Sequence, residues 1–261
     1  MSSTSRASFE AVQSASNAAL TPSAAEAREI LAAARLIETN SQLQAALSDA
    51  VASQDARAAL AERVFGQLSA TARTVVVSAA RGRWSQPTDM IDALEAVGIQ
   101  LAAKSGDARA IGDELGQFAK SVASAPDLEL ALSDRRAAGD AKASVTDRLL
   151  EGKASEQTVA IVRHLVLSPR GRRIRPMLAS AQKSVADATG ESLATVTTAR
   201  QLPAAQLSRL TERLQQRYGR SLRLSQVIDP SIIGGLRVTV GDEVIDGTIR
   251  SKYNDLRLKL G

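Results

Sequence analysis

A seven-residue phrase recurs in this chain with two changes. Leu43-Gln-Ala-Ala-Leu-Ser-Asp49 returns as Leu128-Glu-Leu-Ala-Leu-Ser-Asp134, 85 residues later. The register holds beyond it. Asp55-Ala-Arg57 meets Asp140-Ala-Lys142, and Arg63-Val64 meets Arg148-Leu149. One inserted residue then brings Ser69 against Ser155, and Arg81-Gly-Arg83 and Arg170-Gly-Arg172 close the copies. The repeats run from about 36 to 85 and from about 118 to 172, by these matches.

Each copy reads as short helices. Alanine occurs 47 times, never after residue 205, while aromatic residues make up 2% of the chain. That composition favours closely packed helices over a β-sandwich. Thr21 is expected to cap a helix with Pro22 at its first position and Glu26 in its first turn. Ala27, Ile30, Ala34 and Ile37 then form an apolar stripe. Ser53, Ser69 and Ser155 read as further N-caps, and Ser85 and Pro87 as another helix start. Grooves between such helices suit an amphipathic helix from a partner.

The pattern changes near residue 190. Gly190 ends a long helix, and Leu193–Ala199 has the β-branched character of a strand. Pro203 opens a helix with Leu207, Leu210, Leu214 and Tyr218 on one face and Gly219 as its C-cap. Leu222, Leu224 and Gln226 alternate with Arg223 and Ser225, and Asp229-Pro230 marks a turn. Leu236–Val240 alternates strictly, and Gly241-Asp242 turns the chain into Val244-Ile245. A last helix would carry Ile249, Tyr253, Leu256 and Leu260 on one face. The expected fold is mainly α. A helical bundle with an internally duplicated unit spans residues 1–189, and a small α/β domain follows at 190–261.

Several chemistries are excluded. With no cysteine there is no disulfide, thiolate metal site or cysteine nucleophile. His164 is the only histidine, so a multi-histidine metal centre cannot form within one chain. Flanked by Val162, Leu165 and Val166, it reads as an ordinary helix residue. Gly152-Lys153 lacks the other residues of a phosphate loop, and Gly234-Gly235 precedes a strand instead of opening a helix. That pair reads as backbone freedom, a positive φ or a bulge. Asp242, Glu243 and Asp246 read as a solvated turn. No catalytic, cofactor-binding or metal residue is therefore assigned. No apolar run approaches the ~20 residues of a spanning helix, and residues 1–11 lack the apolar core of a signal peptide, so direct membrane insertion is not expected.

The net charge is +5, and residues 181–261 hold 12 basic and 8 acidic groups. Arg170, Arg172, Arg173 and Arg175 form one local cluster between Pro169 and Pro176. One reading is an acidic or phosphate-bearing partner, in the limit a helical adaptor that binds nucleic acid through Arg170–Arg175. The other is a solvated helix junction. No aromatic platform lies beside the cluster, and nucleic acid is not the expected partner.

Leu224–Arg250 reads LSQVIDPSIIGGLRVTVGDEVIDGTIR. This resembles the C-terminal signature of the delta-subunit family of F-type ATP synthases, which includes the mitochondrial oligomycin-sensitivity-conferring proteins. The matching residues include Asp229, Gly234, Gly235, Gly241, Asp242, Asp246 and Gly247. Leu43–Asp49 and Thr197-Thr198-Ala199 are similar to the family as well. Subtracting one 85-residue unit from 261 leaves 176, an ordinary length for the family, and the longer form resembles the delta subunits of actinobacteria.

The resemblance implies a non-catalytic stator subunit without cofactors. Its helical bundle would bind the N-terminal helix of subunit alpha at the catalytic head. Its C-terminal domain would bind the b-subunit stalk, with Lys252, Arg257 and Lys259 as candidate contacts. It would lie at the cytoplasmic face of the cell membrane as a peripheral protein, held there through the complex.

Overall fold

The computed structural model describes residues 2–18, 22–134, 137–190, 192–218, 222–240 and 243–249. The chain forms two compact units, Met1–Ala188 and Thr189–Gly261. The first holds helices α1 (Ser3–Asn17), α2 (Ala24–Thr39), α3 (Ser41–Ser48), α4 (Gln54–Val64), α5 (Ala70–Arg81) and α6 (Pro87–Lys104). It continues with α7 (Ala108–Ser124), α8 (Pro126–Ser133), α9 (Gly139–Leu150), α10 (Glu156–Leu167) and α11 (Ile174–Ala188).

Local chemistry sets the helix starts. Ser53, Ser69 and Ser155 are N-caps, each hydroxyl accepting from the backbone N–H three residues on. The expected start of α2 is corrected. Ser23 is its cap: its Oγ accepts from Glu26 N at 3.2 Å, and Glu26 Oε2 accepts from Ser23 N at 3.0 Å. This reciprocal box moves the start past Pro22, and Thr21 lies outside the described residues. Pro87 does open α6, but the cap is Gln86, which makes no side-chain cap bond. Ser85 turns instead to α1, its N–H donating to Ser5 Oγ at 3.0 Å.

The helices recur in order. α3 and α8 start at Ser41 and Pro126, α4 and α9 at Gln54 and Gly139, and α5 and α10 at Ala70 and Glu156. The correspondence continues outward. α2 and α7 start at Ala24 and Ala108, and α6 and α11 at Pro87 and Ile174. α1 matches α6: Phe9-Glu-Ala-Val12 stands 85 residues before Leu94-Glu-Ala-Val97. In that register the buried residues of α1, Ser5, Ser8, Val12 and Ser16, fall on Met90, Ala93, Val97 and Leu101, all buried in α6.

Helix α6 therefore plays two parts. It is the last helix of a six-helix set, α1–α6, and the first of another, α6–α11. It packs against α1 and α2 on one side and α11 on the other, so it is buried nearly all round. Gly98 allows the closest approach: a Cβ there would lie 2.8 Å from Leu31 Cδ2 of α2. One apolar core runs through both sets, from Val12 to Val185.

Buried polar groups recur with the helices. The Arg57 guanidinium is 3% exposed and donates to the carbonyls of Asp49, Ala52, Ala80, Arg81 and Gly82 at 2.8–3.0 Å. Its counterpart Lys142 donates to Asp134 O at 2.6 Å. Glu29 accepts from Ser69 N, and Glu114 accepts from Ser155 N, so a carboxylate of α2 or α7 clamps the cap of α5 or α10.

The second unit contains β1 (Ser192–Thr198), α12 (Ala204–Tyr218), β2 (Leu222–Ile228), β3 (Leu236–Val240) and β4 (Glu243–Asp246). The sheet order is β2-β1-β3-β4; β1 runs parallel to β2 and antiparallel to β3, and β3 pairs antiparallel with β4. Strand β1 begins and ends one residue before the expected span. Ala194, Val196, Leu214, Leu222, Val238 and Val240 form the core between α12 and one face of the sheet. Gly190 has φ +72°, as a residue closing a helix requires. Gly219, the Gly241-Asp242 turn and the expected final helix lie outside the described residues.

Candidate functional site

The signature residues within the described region converge on one backbone crossing. Gly235 has φ +80°, and a Cβ there would collide with the carbonyl oxygen of Gly247. Gly234 lacks a positive φ, but a Cβ there would stand 2.6 Å from Ile249 Cδ1. Two hydrogen bonds seal the crossing: Gly247 N donates to Leu236 O at 2.9 Å, and Ile249 N to Gly234 O at 3.1 Å. The glycines thus serve close approach of two chain segments.

The signature carboxylates frame this crossing. Asp229 N donates to Thr198 O, and its Oδ1 accepts from Ser231 N at 2.9 Å. Asp246 Oδ1 accepts from Thr248 N at 3.0 Å, and its Oδ2 pairs with Arg237 Nη2 at 3.0 Å. The hydrogen bonds from Ser231 and Thr248 hold both carboxyls below the usual carboxylate range. Asp229, Gly234, Gly235, Asp246 and Gly247 are therefore brought together, as a structural bracket. Gly241, Asp242, Lys252, Arg257 and Lys259 lie outside the described residues. Glu243, assigned to a solvated turn, pairs with Arg217 of α12 at 3.4 Å.

The arginine cluster divides. Arg170 and Arg172 turn inward toward α6. Arg172 binds Glu95 in a fork, Nη1 to Oε1 at 2.8 Å and Nη2 to Oε2 at 2.9 Å. Arg170 Nη2 reaches Glu95 Oε2 at 2.9 Å and Asp92 Oδ1 at 2.8 Å. His164 Nε2 lies 3.2 Å from the same Glu95 oxygen. Only Arg173 and Arg175 remain exposed. The patch is thus neither a four-arginine surface nor a solvated junction, because two carboxylates of α6 neutralise its buried half.

Burial alone would push the Glu95 carboxyl up. Hydrogen bonds from His164 and Arg172 and the charge of Arg170 overcome this and hold it at about 2. Burial dominates at Asp92, whose carboxyl is pushed up. Neither carboxylate was singled out from sequence. The sequence carries no local signal for Glu95: Phe9-Glu10-Ala11-Val12 recurs as Leu94-Glu95-Ala96-Val97, yet Glu10 is exposed and Glu95 buried.

Each unit carries a surface hollow. One is lined by Ser3, Arg6, Ala7 and Glu10, another by Asp229, Ser231, Ile232, Ile233, Arg237 and Thr248. Among the described residues no helix is long and apolar enough to cross a membrane, and no cluster of three or more acidic or histidine residues could hold a metal ion.

Comparison with known proteins places the chain. The family model described as "ATP synthase delta (OSCP) subunit" matches residues 95–260. The match begins inside α6, so it spans the second helical set and the small unit. An ATP synthase subunit delta of Leifsonia xyli is 46% identical over 237 residues, covering 90% of each chain. One of Streptomyces avermitilis is 37% identical over 239 residues, covering 90% of this chain and 88% of that one. A chain in the cryo-EM structure of the Toxoplasma gondii mitochondrial ATP synthase hexamer is 16% identical with a TM-score of 0.42, covering 64% of this chain and 94% of its own length. The family match over residues 95–260 and the two bacterial relatives, covered over most of their length, make the chain a member of the ATP synthase delta (OSCP) subunit family.

Proposed function

We propose that the protein is a non-catalytic stator subunit of the proton-translocating F-type ATP synthase. Its helical unit binds the N-terminal helix of subunit alpha at the catalytic head, and its small unit binds the b-subunit stalk. It resists the torque of the rotor and lies at the cytoplasmic face of the cell membrane, held there through its partners. The observation that carries this reading is the family match over residues 95–260. Because that match starts in α6, it supports a seat for subunit alpha in the α6–α11 set. Lys252, Arg257 and Lys259 remain the candidate stalk contacts.

The physical demand on such a joint is stiffness with long residence, which helix-in-groove burial supplies. The nucleic-acid alternative loses support, since Arg170 and Arg172 are already paired. Co-sedimentation tests the proposal, using washed membranes and subunit alpha with or without its N-terminal segment. Full-length alpha should retain the protein and truncated alpha should release it. Failure of full-length alpha to retain it would overturn the stator reading.

A further inference from the structure

The helix that leads toward the small unit is α11, which ends at Ala188 one residue before that unit begins. Its base is joined to α10 by the six-residue strap 168–173. The strap reverses direction through two successive left-handed residues, Arg170 at φ 45° and Gly171 at φ 75°. Arg170 is the only residue other than glycine with a positive φ among the described residues. Such a backbone is disfavoured for a side chain with a Cβ and persists where the surroundings over-determine it.

Here the surroundings are one helix face. Both strap arginines converge on Glu95 of α6, and Arg170 also reaches Asp92. Arg172 N donates back to Pro169 O at 2.7 Å, which closes the strap on itself. His164, near the end of α10, meets the same carboxylate. Glu38 of α2 adds its negative charge to the field that Arg172 feels.

The equivalent connection in the first helical set is held differently. Arg57 caps the carbonyls of Ala80, Arg81 and Gly82, Ser8 Oγ bonds both Arg83 N and Arg83 O, and Trp84 Nε1 donates to Ala79 O. None of those acceptors is a carboxylate, and Glu10, the counterpart of Glu95, is exposed. The first connection reaches a carboxylate only at one remove, through Ser5, whose Oγ accepts from Ser85 N and donates to Asp89, whereas in the second the connection's own arginines pair with carboxylates directly.

We infer that Glu95, with Asp92, is an ionic anchor that positions the 168–173 strap and so holds the start of α11 against α6. The device holds the entry to α11, the helix that precedes the small unit in sequence. Its purpose as part of a torque-bearing joint rests on the stator reading, whereas its existence does not. Glu95 acts through Arg170 and Arg172 and is a positioning residue.

The absence of native cysteine makes the test direct, because introduced pairs can carry spin labels without background. One pair, K183C on α11 and E62C on α4, reports the position of α11 within the helical unit. A control pair, E10C on α1 and E62C, reports the first helical set alone. In the full chain, Glu95→Gln should widen the α11 distance distribution about twofold and leave the control unchanged. Arg172→Lys keeps the charge but loses the fork, and should widen it less. Unchanged distributions in both variants would overturn the anchor. Equal widening of both pairs would also overturn it, since Glu95 would then serve only general stability. A chain that passes this test and fails co-sedimentation with subunit alpha keeps its anchor and loses the stator reading.

Discussion

Single residues here act through long-range partners or through the absence of a side chain. The folded Glu95 carboxyl titrates at about 2, against an ordinary 4.5. A depressed carboxylate stabilises the fold fully above its unfolded pKa, and that stabilisation is lost as the pH falls from 4.5 toward 2. The shift corresponds to about 3 kcal/mol. Asp92, pushed up by burial, offsets part of it. Urea unfolding across this range should show stability falling steeply in the native chain and more gently in Glu95→Gln. Parallel pH profiles would contradict the assignment. Gly235 is the opposite case, a residue defined by what it lacks. Gly235→Ala adds a methyl against Gly247 O at φ +80° and should destabilise the small unit by about 2 kcal/mol or more. Faster hydrogen exchange confined to residues 192–249 would be the expected signature.

At the scale of elements, packing is governed by how closely helices approach. Gly98 lies against Leu31 and Ile30, so Gly98→Leu would force α2 away from α6. Overpacking of this kind costs about 1–3 kcal/mol. A lowered urea midpoint with an unchanged slope would report it, whereas an undiminished midpoint would mean that α2 yields freely. The same scale explains what could be read from sequence. Ser53, Ser69 and Ser155 were legible because a cap acts on an N–H three residues away. Gly235 was legible because a positive φ is a local property, whereas the approach of Ile249 to Gly234 is set by a segment 15 residues further on and was not. Glu95 was not, since its partners lie 69, 75 and 77 residues further along the chain. Nothing local distinguishes it from Glu10, which occupies the same place in its repeat and faces solvent. The start of α2 was misplaced because two local signals competed, and the Ser23–Glu26 box prevailed over Thr21-Pro22.

At the scale of the molecule, the helical unit is two sets that share a wall. Removing residues 1–86 would strip α1 and α2 from α6 and leave its Gly98 side bare. That truncated chain still contains the whole segment matched by the family model. It should nevertheless melt several degrees lower than the full chain and self-associate, because a newly exposed apolar face seeks a partner. Calorimetry and light scattering after size-exclusion chromatography check this. A monomeric truncated chain of undiminished stability would show that α6 needs no second neighbour.

The sharing of α6 also makes length come in steps. Two separate bundles of six helices would need twelve and a linker, whereas this unit has eleven among the described residues. Each additional copy of about 85 residues would bring five helices and borrow its sixth from the one before. A chain built in this way grows in whole increments, and the terminal helix of one copy is already the foundation of the next.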